Sequence, residues 1–230
     1  MARENGQPLI VKLPDELEEV RYLFDPKDVK IIEKGEATEE KFRSVLEQFS
    51  SQIIHISAHG EINDEYPLLS RLLLDLQKEN TLDLDGDISL GELYNLKINT
   101  QIAILSACQT GSGESIDGSG KINLARGFAY ADCPSIIMSL WDLNTKSNLE
   151  IINKLYQELI EKNQDIDVSL QHAQIKYIEA KQKKWKDDSS FSSNKEKKEI
   201  LKSLHPYYWA GLVLIGRTDA LGVNRTIKKR

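Results

Sequence analysis

Two short strings carry residue types that could do chemistry. One apolar run, Ile53-Ile54-His55-Ile56, leads into Ser57-Ala58-His59-Gly60, and another, Ile102-Ala103-Ile104-Leu105, leads into Ser106-Ala107-Cys108-Gln109-Thr110-Gly111. The histidine comes first, at position 59, with the cysteine at 108. A thiol is mostly protonated at neutral pH, and a neighbouring imidazole can take its proton and hold the thiolate as an ion pair. Gly60 lets a backbone N–H approach a substrate carbonyl oxygen with no Cβ in the way, and the amides of Gly60 and Cys108 would form an oxyanion hole. The plain alternative is that a cysteine at a strand end is an inert small hydrophobe. Polar, glycine-rich residues after Cys108 favour a loop mouth instead. Cys133, in Ala131-Asp132-Cys133-Pro134 before an apolar strand, reads as packing. His55 shares a strand with His59 and reads as a hydrogen-bonded core histidine on the same face. His172 reads as a surface residue of a helix and His205, before Pro206, as structural.

These residues need a frame that brings two strand ends together. The sequence predicts helices opening at Pro14, at Thr38 (its N-cap, with Phe42, Val45, Leu46 and Phe49 at helical spacing), at Ser89, and over Ile122 to Ala131. Further helices open at Asn144 or Thr145, running to Leu159, and at Asp165, carrying Val168, Ala173, Ile175 and Ile178. Strands are expected at Val29–Ile32, Ile53–Ile56, Leu72–Leu74, Ile102–Ser106, Ser135–Leu140 and Trp209–Ile215, with a Gly/Ser-rich loop from Gln109 to Gly120. Such alternation implies an α/β fold with a mainly parallel sheet and crossover helices. Sites in these sheets form beyond the C-terminal ends of the strands, where both strings lie.

Composition narrows the function further. The 230 residues fit one domain, 1–230, with the Lys/Glu/Ser-rich stretch Lys181–Ser203 as an exposed insertion or as a charged extension of the preceding helix. A net charge of −6 argues against a general nucleic-acid or anionic-membrane binder. The longest apolar stretch, Tyr207 to Ile215, is too short to span a bilayer, and Met1-Ala2-Arg3-Glu4-Asn5 lacks the apolar core of a signal peptide. Two cysteines make neither a disulfide scaffold nor a closed zinc site, so no metal or cofactor is expected and the cytoplasm is the expected compartment. A nucleotide-binding reading of Gly113 to Lys121 fails, because the phosphate-loop spacing needs Gly at 115 and Ser or Thr at 122, where Ser115 and Ile122 stand.

Ser-Ala-Cys-Gln-Thr-Gly is similar to the caspase pattern Gln-Ala-Cys-x-Gly with its histidine about 50 residues upstream, though it lacks the leading Gln and sets its Gly one residue later. The wider chain resembles the CHAT-domain family of caspase-like cysteine peptidases, in the caspase–separase–gingipain clan. The matching stretches include Leu13 to Phe24, Gly35 to Phe42, Ile53 to Gly60, Pro67-Leu68-Leu69-Ser70, Ser89 to Asn95, Ile104 to Gly111, Leu124 to Phe128, Ser135 to Leu143 and His205 to Gly216. That resemblance implies a caspase-like three-layer α/β/α sandwich, with His59 as general base and Cys108 as nucleophile in peptide-bond hydrolysis. It implies a dedicated protein or peptide substrate, and an activating partner such as a tetratricopeptide-repeat segment or a sensor. The implied setting is bacterial signalling, cell death or antiviral defence. Family members carry more sequence before the first matching helix, so a strand of the sheet is expected to be missing or supplied from elsewhere. In this clan the segment Trp141-Asp142-Leu143 borders the substrate groove, and position 106 bears on the P1 pocket: Ser106 stands where arginine-specific relatives have Asp. Asp142 would then favour a basic P1 residue, unless it simply caps the next helix. The rival functional reading is a catalytically silent caspase-like interaction module.

Overall fold

Strands that are apolar on both faces must be covered on both faces, and that requirement sets the architecture. A computed structural model describes residues 9–11, 23–24, 29–32, 35–48, 51–63, 65–74, 86–106, 115–116, 120–121, 124–187 and 193–221. In chain order the strands are β1 (Leu9–Val11), β2 (Lys30–Ile32), β3 (Ser51–Ile56), β4 (His59–Glu61), β5 (Arg71–Leu73) and β6 (Asp87–Ser89). They continue as β7 (Thr100–Leu105), β8 (Ser115–Ile116), β9 (Gly120–Lys121), β10 (Ser135–Ser139) and β11 (Leu212–Gly216). The helices are α1 (Glu39–Gln48), α2 (Leu90–Leu93), α3 (Leu124–Tyr130), α4 (Thr145–Tyr156), α5 (Ile166–Lys186) and α6 (Asn194–Ser203). A six-stranded sheet runs β11-β10-β7-β3-β1-β2, parallel throughout except for β11. β4, β5 and β6 make a separate antiparallel sheet, and β8 and β9 form a two-stranded ribbon.

Alternation along each strand divides the core in two. Ile54, Ile56, Ala103, Leu105, Ile136 and Met138 face Phe42, Val45 and Leu46 of α1 and Leu124 and Phe128 of α3. Ile53, Ile102, Ile104 and Ile137 face Ile152 and Leu155 of α4 and Leu170, Ala173 and Tyr177 of α5. Each of the Val, Leu, Ile, Phe and Met side chains among them, fully buried, contributes about 1.5–3 kcal/mol. The result is the expected mixed α/β sandwich with a mainly parallel central sheet. Near the start of the described residues β1, three residues long, lies between β3 and β2. Its brevity leaves no periodic signal to read. The helix expected from Pro14 lies outside the described residues, as does Phe49.

Other differences are local. Ile175 is exposed, because the buried face of α5 runs through Ile166, Leu170, Ala173 and Tyr177. α4 ends at Tyr156 and passes into a π turn, Gln157–Glu161, which buries Glu158. Within 181–203, Lys181 to Lys186 extend α5, and α6 returns beside it with Lys184 paired to Glu196 at 2.8 Å and Lys197 over the Trp185 ring.

β6 of the small sheet leads directly into α2, which packs against α3. Ser89 and Glu92 form a capping box at α2, and Arg43 bridges Glu92 to the buried Glu39 of α1. α3 approaches α2 closely at Gly127, where a Cβ would lie 2.7 Å from Leu90 Cδ1 and 2.9 Å from Leu93 Cβ. Gly127→Ala is therefore expected to destabilise the protein by about 1–3 kcal/mol through overpacking. Gly91→Ala, whose Cβ would meet nothing nearer than 3.6 Å, should be neutral or gain up to about 1 kcal/mol of helix propensity. Urea unfolding midpoints of the two variants check the contrast.

Candidate active site

The β3–β7 ladder pairs His55 with Ile104 and Ile56 with Leu105, and its last rung is the Ser106 N–H donating to the Ile56 carbonyl at 2.9 Å. The chain segments leading to His59 and to Cys108 therefore leave the sheet side by side. Ser57 and Ala58 break the ladder, and His59 then opens β4, paired with Leu73 of β5. His59 and His55 are thus on different sheets, not on one face of a single strand as the sequence suggested. The bend lets β4 find its own partner in β5, with Leu72 fully buried behind Gly60. His59 is exposed and Gly60 half-buried. Cys108 and residues 107–114 around it lie outside the described residues.

His55 is fully buried and hydrogen-bonded through both ring nitrogens. Nδ1 meets the Tyr156 hydroxyl at 3.1 Å and Nε2 meets Ser106 Oγ at 2.9 Å, while the His55 and Tyr156 rings stack at 5.8 Å. Burial disfavours the imidazolium and lowers the His55 pKa to about 3. Burial likewise raises the Tyr156 pKa, so the phenol keeps its proton. Ser106 is half-buried, with its hydroxyl engaged by this histidine.

An aromatic wall stands at the C-terminal end of β10, the strand next to β7. The Trp141 indole N–H donates to the Tyr207 carbonyl at 3.0 Å, and the Tyr207 hydroxyl donates to the Asp142 carbonyl at 2.8 Å. The two rings stack at 6.3 Å and 16°. Gly211 makes the approach possible, since a Cβ there would run into Leu143 and lie 3.0 Å from the Trp141 ring. Asp142 is exposed, and it is not the cap of α4: Asn144 takes that role, accepting from the Ser147 N–H at 3.1 Å.

A model described as the CHAT domain matches residues 8–217. The chain belongs to the CHAT family. Its fold is similar to the Arg-specific cysteine proteinase gingipain R, with a TM-score of 0.57 and 12% identity over 94% of this chain and 47% of that one. The Porphyromonas gingivalis RgpB pro- and mature-domain complex gives 0.55 and 14%, over 94% and 48%. Saccharomyces cerevisiae separase, solved with securin, gives 0.52 and 14%, over 94% and 12%. The chain thus spans under half the length of each of these proteins. No curated protein matches it. With these proteins the chain shares a caspase-like fold, a mixed α/β architecture around a mainly parallel central sheet.

Within this CHAT domain, Cys133 is buried, donates to the Ser135 carbonyl at 3.2 Å, and has its pKa raised to about 11 by burial. His172 is half-buried beside Gln164 and Glu158, and His205 Nδ1 accepts from the Tyr207 N–H at 3.2 Å. Among the described residues no group of His, Cys, Asp and Glu is arranged to hold a metal ion, and no helix is long and apolar enough to cross a membrane. Sequence reasoning missed Tyr156 and Tyr207. Both sit far along the chain from the groups they bond, and the one available signal was a buried histidine in need of partners.

The depressed His55 pKa has a definite sign. The unfolded chain binds a proton at His55 below its ordinary pKa near 6.5, whereas the folded chain does so only near 3. Stability is therefore present above 6.5 and lost as pH falls. Between pH 6.5 and 5 this amounts to about 2 kcal/mol, at roughly 1.36 kcal/mol per unit. Burial also opposes the charge on Glu158, but hydrogen bonds from Lys176 and Lys162 outweigh it and hold its pKa low, so its contribution is lost only at lower pH, in the carboxylate range. Urea titrations at several pH values should show the decline over pH 6.5 to 5, with a shallower slope in His55→Gln.

Proposed function

We propose that this domain is a cysteine endopeptidase acting through a His59–Cys108 dyad on a dedicated protein substrate. The observation that carries the reading is the shared exit of the two strand ends, joined by the Ser106–Ile56 hydrogen bond, at the edge where such sheets place their sites. Membership of the CHAT family and the likeness to cysteine proteinase folds support it.

In this reading His59 removes the proton from Cys108 Sγ, and the thiolate adds to the scissile carbonyl carbon. The carbonyl oxygen takes the negative charge and is held by the amides of Gly60 and Cys108. The C–N bond breaks as His59 returns the proton to the leaving amine, leaving a thioester. Water, deprotonated by His59, hydrolyses it and frees the cysteine. Trp141, Asp142 and Ser106 border the substrate groove, with the Trp141–Tyr207 stack as a stiff wall against which an extended peptide lies. Activation by a partner or effector, in a bacterial signalling, cell-death or defence system, belongs to the same proposal and is supported by the family resemblance.

Digestion of a diverse peptide library, read by mass spectrometry, tests the assignment. Cys108→Ala and His59→Ala should each lower cleavage by roughly a thousandfold or more, because the pair acts as a unit. Cys133→Ser should leave the rate near wild type. Substantial turnover by Cys108→Ala, or a folded but inactive Cys133→Ser, would show that the wrong thiol was named. The same library reports the role of Asp142. Asp142→Ala is expected to weaken cleavage after Lys or Arg by up to about fivefold, the scale of an exposed ion pair. An unchanged P1 profile excludes that role.

A further inference from the structure

A histidine in the centre of a buried strand is unfavourable unless both ring nitrogens are bonded. An apolar residue would fill the same place in β3 with no such demand, as Ile53, Ile54 and Ile56 do around it. His55 instead joins α4 to the tip of β7, and the order of protons along that line can be read. Tyr156 is fully buried, and its hydroxyl is bonded to His55 Nδ1. A buried phenol proton needs an acceptor, so Tyr156 donates and Nδ1 accepts. The neutral ring then carries its proton on Nε2 and donates it to Ser106 Oγ. Ser106 receives, and its own hydroxyl proton is left to donate onward. Ser106 is also the last residue tied into the β3–β7 ladder, two positions before Cys108.

We propose that Tyr156 and His55 are positioning residues for Cys108: their proton-ordered line holds Ser106 at the tip of β7, with its hydroxyl set as a donor, and so fixes the strand end that delivers the nucleophile. This rests on the reading of Cys108 as nucleophile. It gives Ser106 a task inside the fold in addition to its place beside the groove.

The test needs no substrate and no activator. Iodoacetamide alkylation of the folded chain at neutral pH, followed by peptide mapping, measures Cys108 apart from the buried Cys133. Ser106→Ala and Tyr156→Phe should slow Cys108 alkylation by about tenfold or more, as expected when a reacting atom is misplaced, while Ser106→Thr, which keeps the hydroxyl, stays within about twofold of wild type. Both losses are expected in variants that remain folded, as urea unfolding will report. Nitrogen-15 NMR should find the His55 proton on Nε2, and a proton on Nδ1 overturns the assigned order. A reactive Cys108 indifferent to Ser106→Ala and Tyr156→Phe overturns the positioning role alone, as does a loss that Ser106→Thr fails to restore. Wild-type Cys108 that labels no faster than in the denatured chain overturns the peptidase reading, and this proposal with it.

Discussion

The pairing of β3 with β7 is the constraint on which the rest depends. Both strands are buried on two faces, and side chains alternate with a period of two. A slip of one residue would turn Ile54 and Ile56 toward α4 and α5 and drive His55 into the cluster around Phe42 and Phe128. It would also part His55 from Tyr156 and Ser106. The apolar register and the polar line select the same pairing, so each reinforces the other. The two strand ends that carry the candidate dyad inherit their alignment from that pairing and not from contacts at the surface.

Much of this was legible in the sequence because burial leaves a simple mark. Ile102 to Leu105 and Ser135 to Leu140 announce themselves as covered strands, and Ser89 with Glu92 announces a helix start. What was hidden has a common physical cause: it depends on partners distant in the chain. β1 is three residues long and stands only because β2 and β3 flank it. The turn of His59 onto a second sheet depends on β5, whose Leu72 is buried in the same core cluster as Leu90 and Leu93 of α2 and Phe128 of α3. The candidate dyad was proposed from residue types and order alone, and His55 was readable as a core histidine. Its partner Tyr156, 101 positions away, was not.

The walls of the candidate groove follow the same logic. β11 runs antiparallel to β10, so the segment from His205 to Gly211 arrives at the C-terminal end of β10, where Trp141 and Asp142 stand. The Leu140 N–H donates to the Gly211 carbonyl at 2.9 Å, extending the pairing beyond the strand. One antiparallel strand in a parallel sheet thus brings the end of the fold back to the site edge. The placement of half-buried Trp141 beside exposed Tyr207 is then a consequence of topology, and their mutual stacking limits how far either ring can move.

A buried, neutral histidine carries a cost that an isoleucine would not: stability falls as the solution becomes acidic. Natural sequences accept such a cost where the polar group specifies something an apolar one cannot. An isoleucine at 55 would fill space but would leave Tyr156 without an acceptor and Ser106 without its donor. Dispersion contacts resist compression yet tolerate small sliding, whereas two directional hydrogen bonds at 3.1 and 2.9 Å fix both distance and angle. The strand tip held in this way is the one that leads, two residues on, to the thiol. In the proposed peptidase, rigidity is thus concentrated where a misplacement of an ångström would matter most to acyl transfer.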